Sequence, residues 1–174
     1  MLKTKLAKLL LFLFIIGFGG HAYAALINLD ARTNNYDNPV SKFFRAGTYS
    51  VFPIGKTDGG DYNAWSAWSH GEKGHWLNPY YMESKEFKKV EIGQWTRYDS
   101  DLLALDKAEN TTFTLSSDGY VKFFIKDNPI SDNRGGISLK INSVPIPGAL
   151  WLFGSGLVGL IGLRRVRKNS LNSV

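Results

Sequence analysis

Asp127, Asn128, Asp132 and Asn133 fall within one seven-residue stretch between two apolar-alternating segments. Hard cations such as calcium are held by several oxygens at once, from carboxylates, amides and carbonyls. This stretch supplies that set, with Pro129 and Gly135 to fix its bends. Asp127, Asp132 and Asn133 are the candidate metal ligands, with loop carbonyls and Asp61 completing the shell. The competing reading is an ordinary Asx-rich turn, because Asp and Asn side chains also bond their own backbone.

A second group of residues suits sugars. Asp61-Tyr62-Asn63-Ala64-Trp65-Ser66-Ala67-Trp68 carries two indoles beside carboxylate and amide groups. Trp65 and Trp68 could stack on sugar rings while Asp61 bonds hydroxyls, or the indoles could fill a core. In a strand, residues three apart point to opposite faces, so one Trp faces inward and the other outward. His70 and His75, with Glu72 between them, resemble a zinc set only superficially, since Gly71 and Gly74 flank them and the spacing fits no metal motif. No nucleophile elbow and no His-Glu-x-x-His occurs. Fifteen carboxylates always permit some acidic pair, which leaves glycan hydrolysis without positive support. The chain is therefore read as not an enzyme.

The elements that must position these residues have period two. Thr48–Ile54 follows the turn signal Ala46-Gly47. Phe113 and Leu115, then Val121, Phe123 and Ile125, then Ile137, Leu139 and Ile141 alternate with polar neighbours around Ser117-Asp118-Gly119. This predicts an all-β fold, an antiparallel jelly-roll-like β-sandwich, over 25–143. Helix signals are weak: about one turn over Ser84–Val90, and an ambiguous segment over Asp99–Ala108. There is no cysteine, so disulfides, thiolate metal sites and Cys nucleophiles are excluded and the core must hold the fold.

From Arg45 to Ile141 the chain resembles the β-sandwich of galactophilic bacterial lectins. In that family a strand ends in Asn-Asp, a loop follows, and Asn-Asn-x-Gly leads into the last strand. Asp127 matches the strand-end Asp, Asp132 and Asn133 match the pair, and Gly135 matches the Gly. The loop here is shorter, and the first member of the pair is Asp. The resemblance implies that the loop holds calcium and that the calcium holds sugar hydroxyls.

The two ends carry targeting signals. Lys3, Lys5 and Lys8 precede an unbroken apolar run, Leu9–Phe18, and Ala22-Tyr23-Ala24 places small residues at −3 and −1 of a cleavage site. This is the plan of a signal peptide over 1–24, cut before Ala25. The apolar run is too short for a membrane span, which needs about 20 residues. At the other end, Val144-Pro145-Ile146-Pro147 leads into the uncharged run Gly148–Leu163, and Arg164, Arg165, Arg167 and Lys168 close it. That run would form a short transmembrane helix with its basic flank in the cytoplasm. Gly154-Ser155-Gly156-Leu157-Val158-Gly159 fits a dinucleotide fingerprint but opens no βαβ unit, so it is read as small-residue helix packing in lipid.

The tail over 144–174 resembles the PEP-CTERM sorting domain: a Val-Pro-x-Pro motif, a Trp-Leu-Phe-Gly-Ser-Gly-Leu core and an Arg-rich stop. Ile146 stands where the acidic residue of the family's name would be. The resemblance implies that Val144, Pro145, Pro147, Arg164 and Arg165 address the chain to an exosortase-type transpeptidase, in a Gram-negative bacterium that makes extracellular polysaccharide. The formal charge of +6 reports this topology: the seven basic residues at the two ends leave 14 of the 21 facing 15 acidic ones, a nearly neutral middle with no footprint for nucleic acid. The sequence thus predicts a protein exported by the secretion machinery. It is first a precursor in the inner membrane, then a surface or matrix protein with a calcium-assisted carbohydrate-binding domain facing extracellular polysaccharide. The alternative is a structural matrix or biofilm protein without sugar binding.

Overall fold

The computed structural model describes residues 24–68 and 75–145. Ala22, Pro147, Arg164 and Arg165 lie outside them, as do the signal peptide's apolar run, the run Gly148–Leu163, and His70 and Glu72. No helix among the described residues is long and apolar enough to cross a membrane. One compact unit comprises Ala22–Val144.

The regular structure of the unit is antiparallel β-sheet with little helix. Its strands are β1 (Ala24–Asp30), β2 (Val40–Phe44), β3 (Gly47–Ile54), β4 (Trp65–Ser66), β5 (Trp76–Leu77), β6 (Tyr80–Ser84), β7 (Val90–Ile92), β8 (Thr111–Leu115), β9 (Gly119–Phe124) and β10 (Arg134–Ser143). One sheet runs β5-β4-β10-β3-β8, with β1 on the other side of β10; the second runs β2-β9-β6-β7. The chain changes sheet at every connection except β3 to β4, β4 to β5 and β6 to β7.

The alternation read from the sequence decides which side chains face the core. Ile27, Leu29, Val51, Phe113, Ile137, Leu139 and Ile141 come from the first sheet, and Phe44, Met82, Val121 and Phe123 from the second; all belong to one buried cluster. Phe44 joins the two sheets, its ring meeting Tyr49 at 5.0 Å and Phe113 at 5.2 Å in edge-to-face geometry. Truncating Phe123, which is fully buried, would cost about 3–5 kcal/mol.

The two doubtful helix segments separate. Asp101–Asp106 forms a short α-helix, α1, begun by the Ser100 side chain, which accepts from the Leu103 N–H at 3.1 Å. Ser84–Val90 contains no helix. It is a turn closed by Ser84 N–H donating to Phe87 O at 3.2 Å. That turn presents Glu86 to the β8–β9 connection, where both backbone N–H groups and both hydroxyls of Ser116 and Ser117 donate to its carboxylate at 2.6–2.9 Å.

These bonds, led by the Ser117 hydroxyl, pull the Glu86 carboxyl from the ordinary 4.5 down to about 2. A depressed carboxyl stabilises the fold above its unfolded pKa, and the contribution is lost as pH falls through the folded value. Glu86→Gln should therefore lower the urea midpoint at pH 7. The gap from the parent should close between about pH 4.5 and pH 2, which urea titrations at several pH values will check.

Candidate cation loop

The segment joining β9 to β10 crosses from one sheet to the other, so its ends are pinned in different layers. Ile125 N–H donates to Asn34 O at 2.8 Å, which holds the start of the loop against the segment after β1. At the far end β10 pairs along Gly136–Asn142 with β1 and along Ser138–Ser143 with β3, while Arg134 and Gly135 pair with β4. Gly135 has φ +76, a left-handed value, and a Cβ there would stand 2.5 Å from Ala64 O. Glycine is required at this position, and the Asn128–Pro129 bond within the loop is cis.

Asn133 is wholly buried, and the chain around it is tied to β1's end. Its amide nitrogen donates to Ala31 O at 3.0 Å, its backbone N–H to Ile130 O at 3.2 Å, and its own carbonyl accepts from Arg32 Nε. Its side-chain oxygen Oδ1 has no partner, and neither has Oδ1 of Asp132. Both are buried acceptors, which ordinarily cost free energy unless something donates or coordinates. Asp127 is the third member. Burial raises its carboxyl pKa first of all and the nearby Asp132 charge adds to this, against lowering bonds from the Asn128 backbone and the Asn133 side chain. The three candidate ligands thus come together, with two buried oxygens unmatched. Their donor set, two carboxylates and an amide oxygen, fits a hard cation such as calcium.

Asp61 stands elsewhere. It accepts from Asn28 Nδ2 at 2.6 Å, and its N–H reaches Asn28 Oδ1 at 3.3 Å. Among the described residues no group of three His, Asp or Glu side chains is placed to hold a metal. Further oxygens for a cation at this loop would therefore come from backbone carbonyls or solvent.

The two tryptophans divide, one inward and one outward, but β4 ends at Ser66 and Trp68 lies in the bend beyond it. Trp65 is completely buried, with Nε1 donating to Pro79 O at 3.0 Å and its ring edge-on to Trp95 at 5.8 Å, so it has no face for a sugar. Trp68 is 53% exposed and lies 5.2 Å from the His75 ring. The β4–β10 pairing carries this aromatic segment to the loop, because Arg134, next to Asn133, pairs with Ser66, and its guanidinium lies 5.2 Å over the Trp76 ring. Arg32, Ala31 and Trp76 went unnoticed in the sequence. Arg32 is 101 residues from the carbonyl it meets, and no local pattern marks such a contact.

At the domain's ends, Ala24 opens β1 and pairs with Asn142, and Val144 N–H donates to Thr48 O at 2.8 Å just before Pro145. Comparison with protein-family models, curated proteins and solved structures finds no match.

Gly135→Ala should destabilise the protein by about 2–4 kcal/mol, from left-handed strain together with the Ala64 O clash. Gly119→Ala, whose added Cβ would meet only Ser117 O at 4.0 Å, is the control expected to cost much less. Denaturant melts of the two variants will check the contrast.

Proposed function

We propose that this chain is an exported surface or matrix protein, sorted by an exosortase-type transpeptidase, whose domain is a calcium-assisted carbohydrate-binding jelly roll. The strand orders β1-β10-β3-β8 and β2-β9-β6-β7 support the jelly-roll reading. One observation carries the calcium: two buried, unmatched oxygens, on Asp132 and Asn133, beside the Asp127 carboxyl. A divalent cation relieves the repulsion of two crowded carboxylates and satisfies the amide oxygen in the same step. The carbohydrate reading is supported by exposed Trp68, brought to the same side of the loop by the β4–β10 pairing. Binding would use calcium as a template for hydroxyls and the indole as a stacking face.

The second reading is a structural matrix protein in which the loop is an ordinary turn. It is favoured by the missing third acidic side chain and by the loop's own closing bonds to Ala31 and Arg32. Calcium separates the two. Binding to the folded state alone stabilises it by about 2.7 kcal/mol at a hundredfold excess over Kd. Millimolar calcium should raise the Tm of the full chain in neutral detergent by several degrees over chelator, and Asp132→Ala should abolish the rise. Identical melts in calcium and chelator would favour the structural reading.

The export reading has a consequence for the order of events. Ala24 and Ala25, which flank the proposed cut, pair with Asn142 and Ile141 on the last strand to emerge, and Ala25 is buried. A peptidase binds its substrate extended and unpaired, so cutting precedes the docking of β10 on β1. Purified, folded precursor should resist signal peptidase and be cut readily in urea concentrations that the peptidase survives, giving a product that begins at Ala25 by mass. Equal rates in both conditions would contradict this order.

A further inference from the structure

The start of β9 carries a groove with none of the cation loop's residues. Gly119, Tyr120 and Lys122 line it from β9, Phe43 from β2, and the Glu83–Glu86 segment from the end of β6 and its turn, around about 540 Å³. That volume lies in the range of small-molecule sites, about 300–1,000 Å³. Phe43 and Tyr120 are directly opposite in register, with rings 5.3 Å apart at 69°, and they are 45% and 62% exposed. Two large aromatic rings on the solvent face of a sheet contribute nothing to the core there. Glu83 lies directly opposite Lys122 across β6 and β9, and Lys85 lines the same groove. Glu86 and Asp118 are already occupied, by Ser116 and Ser117 and by the Ala46 N–H. Glu83, Lys85 and Lys122 therefore supply the groove's acceptor and donors.

The hydrogen-bonding state of β9 decides the class of occupant. β9 is paired with β2 along Gly119–Phe123 and with β6 along Val121–Phe124, so on the β6 side it leaves open only Gly119 and Tyr120, too short a ladder edge for an added peptide strand. Recognition falls to ring faces and to side chains that bond hydroxyls. This combination suits a pyranose chain, whose C–H faces lie against aromatic rings and whose hydroxyls take bonds from carboxylate and ammonium groups.

We propose that this groove is a second, cation-independent site for a segment of a polysaccharide chain, with Phe43 and Tyr120 as the stacking platform and Glu83 and Lys122 as hydroxyl partners. It stands at the start of β9, about 17 Å from Phe124 at the strand's end at a rise of about 3.3 Å per residue, and Asp127 lies three residues beyond that end. Two sites at the two ends of one strand let one domain cross-link two glycan chains or hold one chain at two points, with the avidity that follows.

The test is affinity electrophoresis of the full chain in neutral detergent, in gels cast with chelator and one of β-glucan, xylan, galactomannan or dextran. The expected result is retardation by at least one polysaccharide in chelator. Phe43→Ala with Tyr120→Ala should weaken it by about tenfold or more, Glu83→Gln should weaken it less, and Asp132→Ala should leave it unchanged. Tm measurements in chelator confirm that each variant is folded. No retardation in chelator, or retardation that the aromatic double variant leaves intact, overturns the proposal. Retardation that needs calcium and is lost in Asp132→Ala assigns binding to the cation loop alone. Capture of a peptide at the groove, displaced by no polysaccharide, also overturns it.

Discussion

Two segments press against β10 where its backbone carries no side chain. A Cβ on Gly136 would lie 2.0 Å from Leu29 O of β1, and one on Gly135 would lie 2.5 Å from Ala64 O just before β4. Those close approaches let β10 hold β1 on one side and both β3 and β4 on the other. β10 is thereby the central strand of its sheet, contributing Ile137, Leu139 and Ile141 to the core. Only Arg134 separates the same two glycines from Asn133, so the strand that organises the sheet also fixes the end of the β9–β10 loop. A side chain at either position would push back β1 or the Ala64 segment and disturb the loop's ties to Ala31 and Arg32 at the same time.

The loop illustrates how a polar cluster is held at the edge of a core. Its outer bonds are satisfied by the Ala31 and Ile130 carbonyls and by the Arg32 guanidinium, which donates to the Asn133 carbonyl. Two oxygens, Asp132 Oδ1 and Asn133 Oδ1, are left over, and both residues act on the partly desolvated Asp127 carboxyl. An unmatched buried acceptor costs on the order of 1–3 kcal/mol. Two of them beside the Asp127 carboxyl are the ground for the proposed cation. The groove at the other end of β9 has a different composition, with Glu83 opposite Lys122 and two exposed aromatic rings. One strand therefore has an aromatic groove at its start and an oxygen-rich loop after its end.

Periodicity alone set much of this arrangement. The alternation in Thr48–Ile54, around Phe113 and Val121, and over Ile137–Ile141 marks strands that the structure contains, because burial of one sheet face demands period two. One indole of Trp65 and Trp68 is inward and one outward, as expected, yet not by strand alternation, since β4 ends at Ser66. The grouping of Asp127, Asp132 and Asn133 was legible because they are neighbours in one loop. Asp61 was not legible, since its partner Asn28 is 33 residues away and nothing local announces it. The turn over Ser84–Val90 looked helical because its residues have fair helix propensity. The structure spends them instead on presenting Glu86 to Ser116 and Ser117.

The amino-acid order determined the strand content, the inward faces, the lack of any disulfide, and the oxygen-rich loop, since each depends on residues within one turn or one strand of each other. Only the tertiary structure decided that β8 and β9, though separated by a three-residue turn, lie in different sheets. It also decided that Ala31 and Arg32 close the loop, and that Phe43 faces Tyr120 across a groove. These are pairings between segments tens of residues apart, and their register is chosen by which apolar faces can be buried together. A local pattern states which side of a strand is apolar; it does not state which strand will cover it.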